Sequence, residues 1–217
     1  MHMSAVCLLG TASRRGFEII RGGRSSPSSY RSLEDGDHVW TEKADKTYTM
    51  YSRTDEADEA TISILNARTD HQLGAFASEY GFPGLSHAHN GGECMPVATL
   101  RDSVEALRRL STMLEAGDFS EANPLPNGLV MSPFAVAFNL WLVPAENTRG
   151  FSPVMMTCSL YCFLVHQIIT RALANRPLFV CNACGDFQRS SRRDSKFCSG
   201  RCRTANFRAI RANTVSS

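Results

Sequence analysis

CNACGDFQRSSRRDSKFCSGRCRTANFRAIRAN, residues 181–213, decides how this sequence is to be read. It places Cys181, Cys184, Cys198 and Cys202 in the spacing C-x2-C-x13-C-x3-C. Zinc(II) takes four ligands in a tetrahedron, and thiolates suit it. Cysteines separated by two residues can face one ion from a tight turn, and Gly185 behind them can supply the positive φ that such a turn uses. Cys198 and Cys202 stand four positions apart and point the same way at the entry to a helix. The 13 residues between the pairs suffice for a short hairpin. Strand, knuckle, hairpin and helix in that order predict a treble-clef-like finger around one structural zinc ion. No histidine lies between 167 and 217 to compete as a ligand. Four thiolates leave no open coordination position for catalysis. A redox C-x-x-C needs a βαβ context that the flanking sequence lacks.

Charge follows the same boundary. From Arg176 onward there are nine Lys and Arg against Asp186 and Asp194, a net of +7. Residues 1–175 hold 14 basic and 19 acidic residues, a net of −5. An acidic body with a basic end suggests that the end meets a polyanion. On a helix over about 199–212, Arg201, Arg208 and Arg211 make one basic stripe. Cys202, Ala205 and Ala209 share an adjacent face of small residues suited to packing on the zinc core. Arg189, Arg192, Arg193 and Lys196 cluster in the hairpin. Stripe and loop together could straddle phosphates. A solvated basic face that only keeps the module soluble is the other reading.

The remainder is ordinary in composition: 217 residues, 43% hydrophobic and 20% charged, as in a globular protein. Eight cysteines are too sparse for a disulfide scaffold, and the start shows no secretory signal. A reducing cytoplasm is therefore the expected compartment. PVMMTCSLYCFLVHQII (153–169) is apolar, but Thr, Ser, His and Gln interrupt it, so a core helix is expected and no membrane span.

Residues 1–45, rich in Ser, Gly and Arg, are expected to be disordered or weakly ordered. KTYTMYS (46–52) reads as a strand. Thr54 followed by acidic residues predicts a helix start, and Thr69 with Gln72 predicts a capping box on a helix that Gly81 stops. Residues 82–96 read as a loop by their Gly and Pro content. Residues 99–116 predict a helix capped by Thr99 and Asp102, with an apolar stripe of Leu100, Val104, Leu107 and Leu114 and a stop at Gly117. FAVAFNLWLVP (134–144) reads as a strand, 154–174 as one long buried helix, and LFV (178–180) as a strand into Cys181. The expected fold class is α+β, mainly α: a helical body over 46–175 and a four-cysteine zinc finger over 176–217.

Two further groupings stand out. His87, His89 and Cys94 form H-x-H-x4-C, a second metal site only if a fourth ligand exists, and otherwise a polar loop. Cys158, Cys162 and His166 recur on one face of the expected helix, where core packing is the common reason for buried cysteine. No nucleophile elbow, Walker loop, H-E-x-x-H or G-x-G-x-x-G is present, so no catalytic residues and no enzymatic activity are expected.

CNAC followed by FCSGRCRTANFRAIRA (197–212) resembles the zinc fingers of bacterial CGNR-type proteins and related actinobacterial chains. In those, a C-x3-C pair opens an Arg-rich helix after an aromatic residue, here Phe197. LGAFASEYGFPGL (73–85) and SLYCFLVHQIITRAL (159–173) are similar to segments of the helical domains that precede such fingers. Arg203, Thr204 and Ala205 replace the Gly-Asn-Arg that gives the family its name, so a role tied to that tripeptide does not carry over. The resemblance implies a transcription regulator whose finger binds DNA, with RNA also compatible, and whose body senses a ligand or forms a homodimer. The alternative is a finger that docks an acidic protein partner.

Overall fold

The computed structural model describes residues 6–13, 16–21, 36–42, 46–52, 54–83, 87–89, 92–117, 123–124, 130–131, 138–144, 151–157, 159–175, 178–189 and 195–215. They form a mixed α/β fold. Its first sheet has the order β4-β1-β10-β9. Here β1 is Val6–Ala12, β4 Lys46–Tyr51, β9 Phe138–Pro144 and β10 Phe151–Thr157. β1 runs antiparallel to β4 and parallel to β10, which in turn pairs antiparallel with β9. The second sheet, all antiparallel, has the order β2-β3-β6-β5, with β2 Phe17–Ile20, β3 His38–Glu42, β5 His87–His89 and β6 Gly92–Pro96. A short ladder joins β7 (Asn123–Pro124) to β8 (Val130–Met131).

Four helices pack with these sheets. α1 (Asp55–Asn66) starts at Thr54, whose side chain accepts from the Ala57 N–H. α2 (Asp70–Tyr80) carries the Thr69–Gln72 capping box, stops at Gly81, and lies across β2 and β3. α3 (Val97–Ala116) ends at Gly117, and α4 (Leu160–Leu173) opens at Ser159, whose hydroxyl accepts from the Cys162 N–H. Their apolar stripes meet in one core, where Ile64, Leu100, Leu107, Phe163 and Leu164 are inaccessible to solvent. Tyr48 crosses Gly10 so closely that a Cβ there would collide with its ring. Its hydroxyl donates to the Tyr80 carbonyl at 2.5 Å, satisfying a terminal carbonyl of α2.

Several expectations are corrected. Residues 1–45 are not uniformly disordered: β1, β2 and β3 lie there, and Val6, Leu8 and Val39 are buried. The Ser- and Arg-rich composition masks short strands whose order comes from pairing with distant partners. Their presence, with that of β6 and β10, sets two four-stranded sheets beside the helices of the body. Residues 82–96 contain the β5–β6 hairpin. Asn90-Gly91, the dipeptide between its strands, is a hairpin signal that a loop reading by Gly and Pro content passes over. The helix expected from 154 begins only at Leu160, because Pro153 to Thr157 pairs along β9. α3 starts at Val97, two residues before Thr99, with Pro96 at its N-cap and no side-chain cap. The Val97 N–H donates to Asp37 O, so the strand feeds straight into the helix.

The stripe on α3 is otherwise as expected, with Leu100, Val104 and Leu107 buried and Leu114 packed at the core edge. Leu107→Ala should lower unfolding free energy by about 2–5 kcal/mol in denaturant titration, because the surrounding helices cannot close the cavity. A loss under about 0.5 kcal/mol would show that the site tolerates truncation as a surface position does.

Candidate metal centre

The chain leaves α4 and forms a small antiparallel hairpin, β11 (Leu178–Val180) with β12 (Phe187–Arg189). Both strands are apolar where they face the helices: Leu178, Phe179 and Phe187 are buried, and Leu178 and Phe187 belong to the same core as Leu107 and Phe163. The knuckle lies at the hairpin's tip. Cys181 N–H donates to Asp186 O and Gly185 N–H to Cys181 O, with Gly185 at φ +72°. That left-handed conformation strains any residue with a Cβ, which is why glycine follows the second cysteine. Asn182 N–H then reaches Lys196 O, bringing the returning chain alongside the knuckle. Ser199 opens α5 (Gly200–Val215), its hydroxyl accepting from Cys202 N–H.

This path gathers the sulfurs of Cys181, Cys184, Cys198 and Cys202, all within 4.8 Å of one another. Cys198 Sγ lies 3.3 Å from Cys202 Sγ and 3.8 Å from Cys184 Sγ, far beyond the length of an S–S bond. It is the only group of three or more potential ligands among the described residues, and four convergent thiols can hold a metal ion. Burial opposes ionisation of Cys181, but the N–H groups of Cys184, Cys198 and Ala183 point at its sulfur and bring its pKa down to about 6. At Cys184 the Asp186 N–H favours the thiolate, yet burial and the adjacent Cys181 and Cys198 sulfurs prevail and push it up to about 12. The thiol of Cys202 likewise raises Cys198. Without a cation, then, the surroundings favour the thiolate at Cys181 and the protonated thiol at Cys184 and Cys198. A metal ion reverses this by stabilising all four as thiolates.

The body grips the hairpin at the end of α1. Asn66 brackets the Phe187 backbone, its amide donating to the carbonyl at 3.0 Å and accepting from the N–H at 2.8 Å. Arg68 donates to Gly185 O at 3.0 Å and pairs with Asp186 at 2.7 Å. Arg108, on α3, caps the terminal carbonyls of Leu65 and Ala67 and so fixes the turn from which Asn66 and Arg68 project. Behind them, Asp58 is held by Gln167 Nε2 at 2.7 Å and Arg171 at 3.0 Å. Sequence reasoning misses this whole set, since Asn66 and Phe187 are 121 residues apart.

The expected basic residues divide. Arg189 is exposed and pairs at the surface with Asp55, with Asp58 at 3.9 Å, a contact between the hairpin and α1. Arg192 and Arg193 lie outside the described residues. Lys196, Arg201, Arg208 and Arg211 are exposed. Ala205 and Ala209 are also exposed, contrary to the expected packing face. On α5 as far as Arg211, only Cys202 and Asn206 are half-buried.

Of the weaker groupings, Cys94 is fully buried and sits opposite His87 in the β5–β6 register; the side chains of His87 and His89 lie outside the described residues. Cys162 and His166 are buried on α4, and Cys158 lies outside the described residues.

Because the hairpin is anchored independently of the metal, Cys198→Ser should abolish or sharply reduce bound metal by elemental analysis while leaving the body folded by circular dichroism. Full metal retention would remove Cys198 from the ligand set.

No helix among the described residues is long and apolar enough to cross a membrane. Comparisons of the chain with protein-family models, with curated proteins and with solved structures found no match.

Proposed function

We propose that this chain is a nucleic-acid-binding protein, with DNA as its first partner, in which one zinc ion holds a treble-clef-like finger together and does no chemistry. Four cysteines and no open ligand position favour zinc in a structural role. The observation that carries the binding reading is the exposure of Arg201, Arg208 and Arg211 along α5, on a segment with no Asp or Glu between 195 and 217. At roughly 100° per residue, Arg208 and Arg211 point away from the Cys202 side, so metal binding and phosphate binding use opposite faces. Lys196 extends the basic surface at the foot of the helix. The acidic body, net −5, disfavours non-specific wrapping and confines a polyanion to this end. A metal-anchored helix presents its charges already ordered, whereas a flexible basic tail would lose conformational entropy on binding.

If these side chains neutralise phosphates, log affinity for duplex DNA should fall with log salt by about 0.9 per phosphate contacted. Arg208→Ala should weaken binding to all sequences and reduce that slope by about one. A salt titration of the zinc-loaded protein and this variant on random duplexes measures both. Absence of wild-type binding at low salt to these duplexes and to single strands alike would overturn the proposal and favour an acidic protein partner.

A further inference from the structure

α5 carries more than charge. Phe207 and Ile210 are two of the large apolar side chains most exposed among the described residues, at 57% and 53%. Water exposure of an aromatic ring on a short polar helix calls for a reason. Arg203, Phe207 and Arg211 fall at i, i+4 and i+8, so they form one row along the helix surface, with neighbours about 6 Å apart along the axis. All three are exposed. Arg208 lies beside Phe207 on the adjoining row, together with Arg201 two turns earlier. Arginines thus stand one turn before and one turn after Phe207 on its row of the helix.

We infer that Phe207 is a stacking platform for an unpaired base, with Arg203, Arg208 and Arg211 taking the flanking phosphates, so that the finger prefers single-stranded nucleic acid or unpaired segments over a regular duplex. The inference rests on the nucleic-acid reading of α5 and narrows it. A base offers a flat π-face and a phosphate on each side, and an aromatic ring between cations matches that alternation. A helix that docks in a protein groove needs apolar anchors at i, i+3, i+4 and i+7. Counted from Phe207, only Ile210 meets that pattern: i+4 is Arg211 and i+7 is Thr214. Phe207 and Ile210 supply fewer anchors than such a groove uses, whereas one exposed ring suffices to stack one base.

The test uses the full zinc-loaded chain, a fluorescent oligothymidylate and a duplex of equal length, read by anisotropy at matched salt. Phe207→Ala should lower affinity for the oligothymidylate about 5- to 150-fold, the range for loss of one stacked base, and change duplex affinity little. Phe207→Trp should restore single-strand binding. Arg208→Ala should weaken both ligands. Zinc content and circular dichroism of each variant confirm that α5 is retained. If Phe207→Ala binds the single strand as wild type does while Arg208→Ala is weakened, the stacking inference is wrong and the phosphate-binding reading stands. If wild type binds neither ligand, both fall, and the exposed ring belongs to a protein contact.

Discussion

Four thiols crowded within 4.8 Å of one another are a constraint that the protein satisfies from two sides. Cys181 and Cys184 are placed by a hairpin whose strands are buried in the main core. Cys198 and Cys202 are placed by the first turn of a helix that touches little else. The first pair is preorganised by packing. The second pair is not, and its position depends on what draws the sulfurs together. A helix of 16 residues with a solvent-exposed surface is marginal in water by itself. Binding a divalent ion, worth roughly 10–16 kcal/mol in small zinc peptides, is ample to fix it.

The grip of the body on the hairpin gives the arrangement its direction. Asn66, Arg68 and Arg189 tie the knuckle to α1, and Arg108 ties the end of α1 to α3. Exposed ion pairs such as Arg68–Asp186 are worth little individually. The buried set around Asp58 differs, since removing one partner leaves a charge without compensation, at about 3–5 kcal/mol. The cysteine cluster and the body are therefore continuous through the hairpin, while α5 makes few contacts with the rest of the described residues. That geometry suits a rigid base presenting a charged rod.

How much of this is legible in the sequence depends on range. The ligand spacing, the Gly185 knuckle, the Thr69–Gln72 capping box and the α3 stripe are local patterns within a few residues, and all are readable. β1, β2 and β3 are not, because a short strand in a Ser- and Arg-rich stretch gains its order from partners far away in sequence. The apolar run at 153–169 looks like one helix because periodicity does not separate a short buried strand from a buried helix. Charge counting also does not see that Arg189 pairs with Asp55, 134 residues distant. Phe207 is in plain view in the sequence, and only its exposure singles it out.

The central claim is that the metal orders α5 while packing orders the hairpin. Amide hydrogen exchange with and without a chelator separates the two most directly. On chelation, protection over residues 200–211 should be lost, while the Phe187 amide, bonded to Asn66, and the amides of α3 and α4 keep most of theirs. Unchanged protection of α5 after the metal is removed would contradict the claim, as would loss of protection throughout the body.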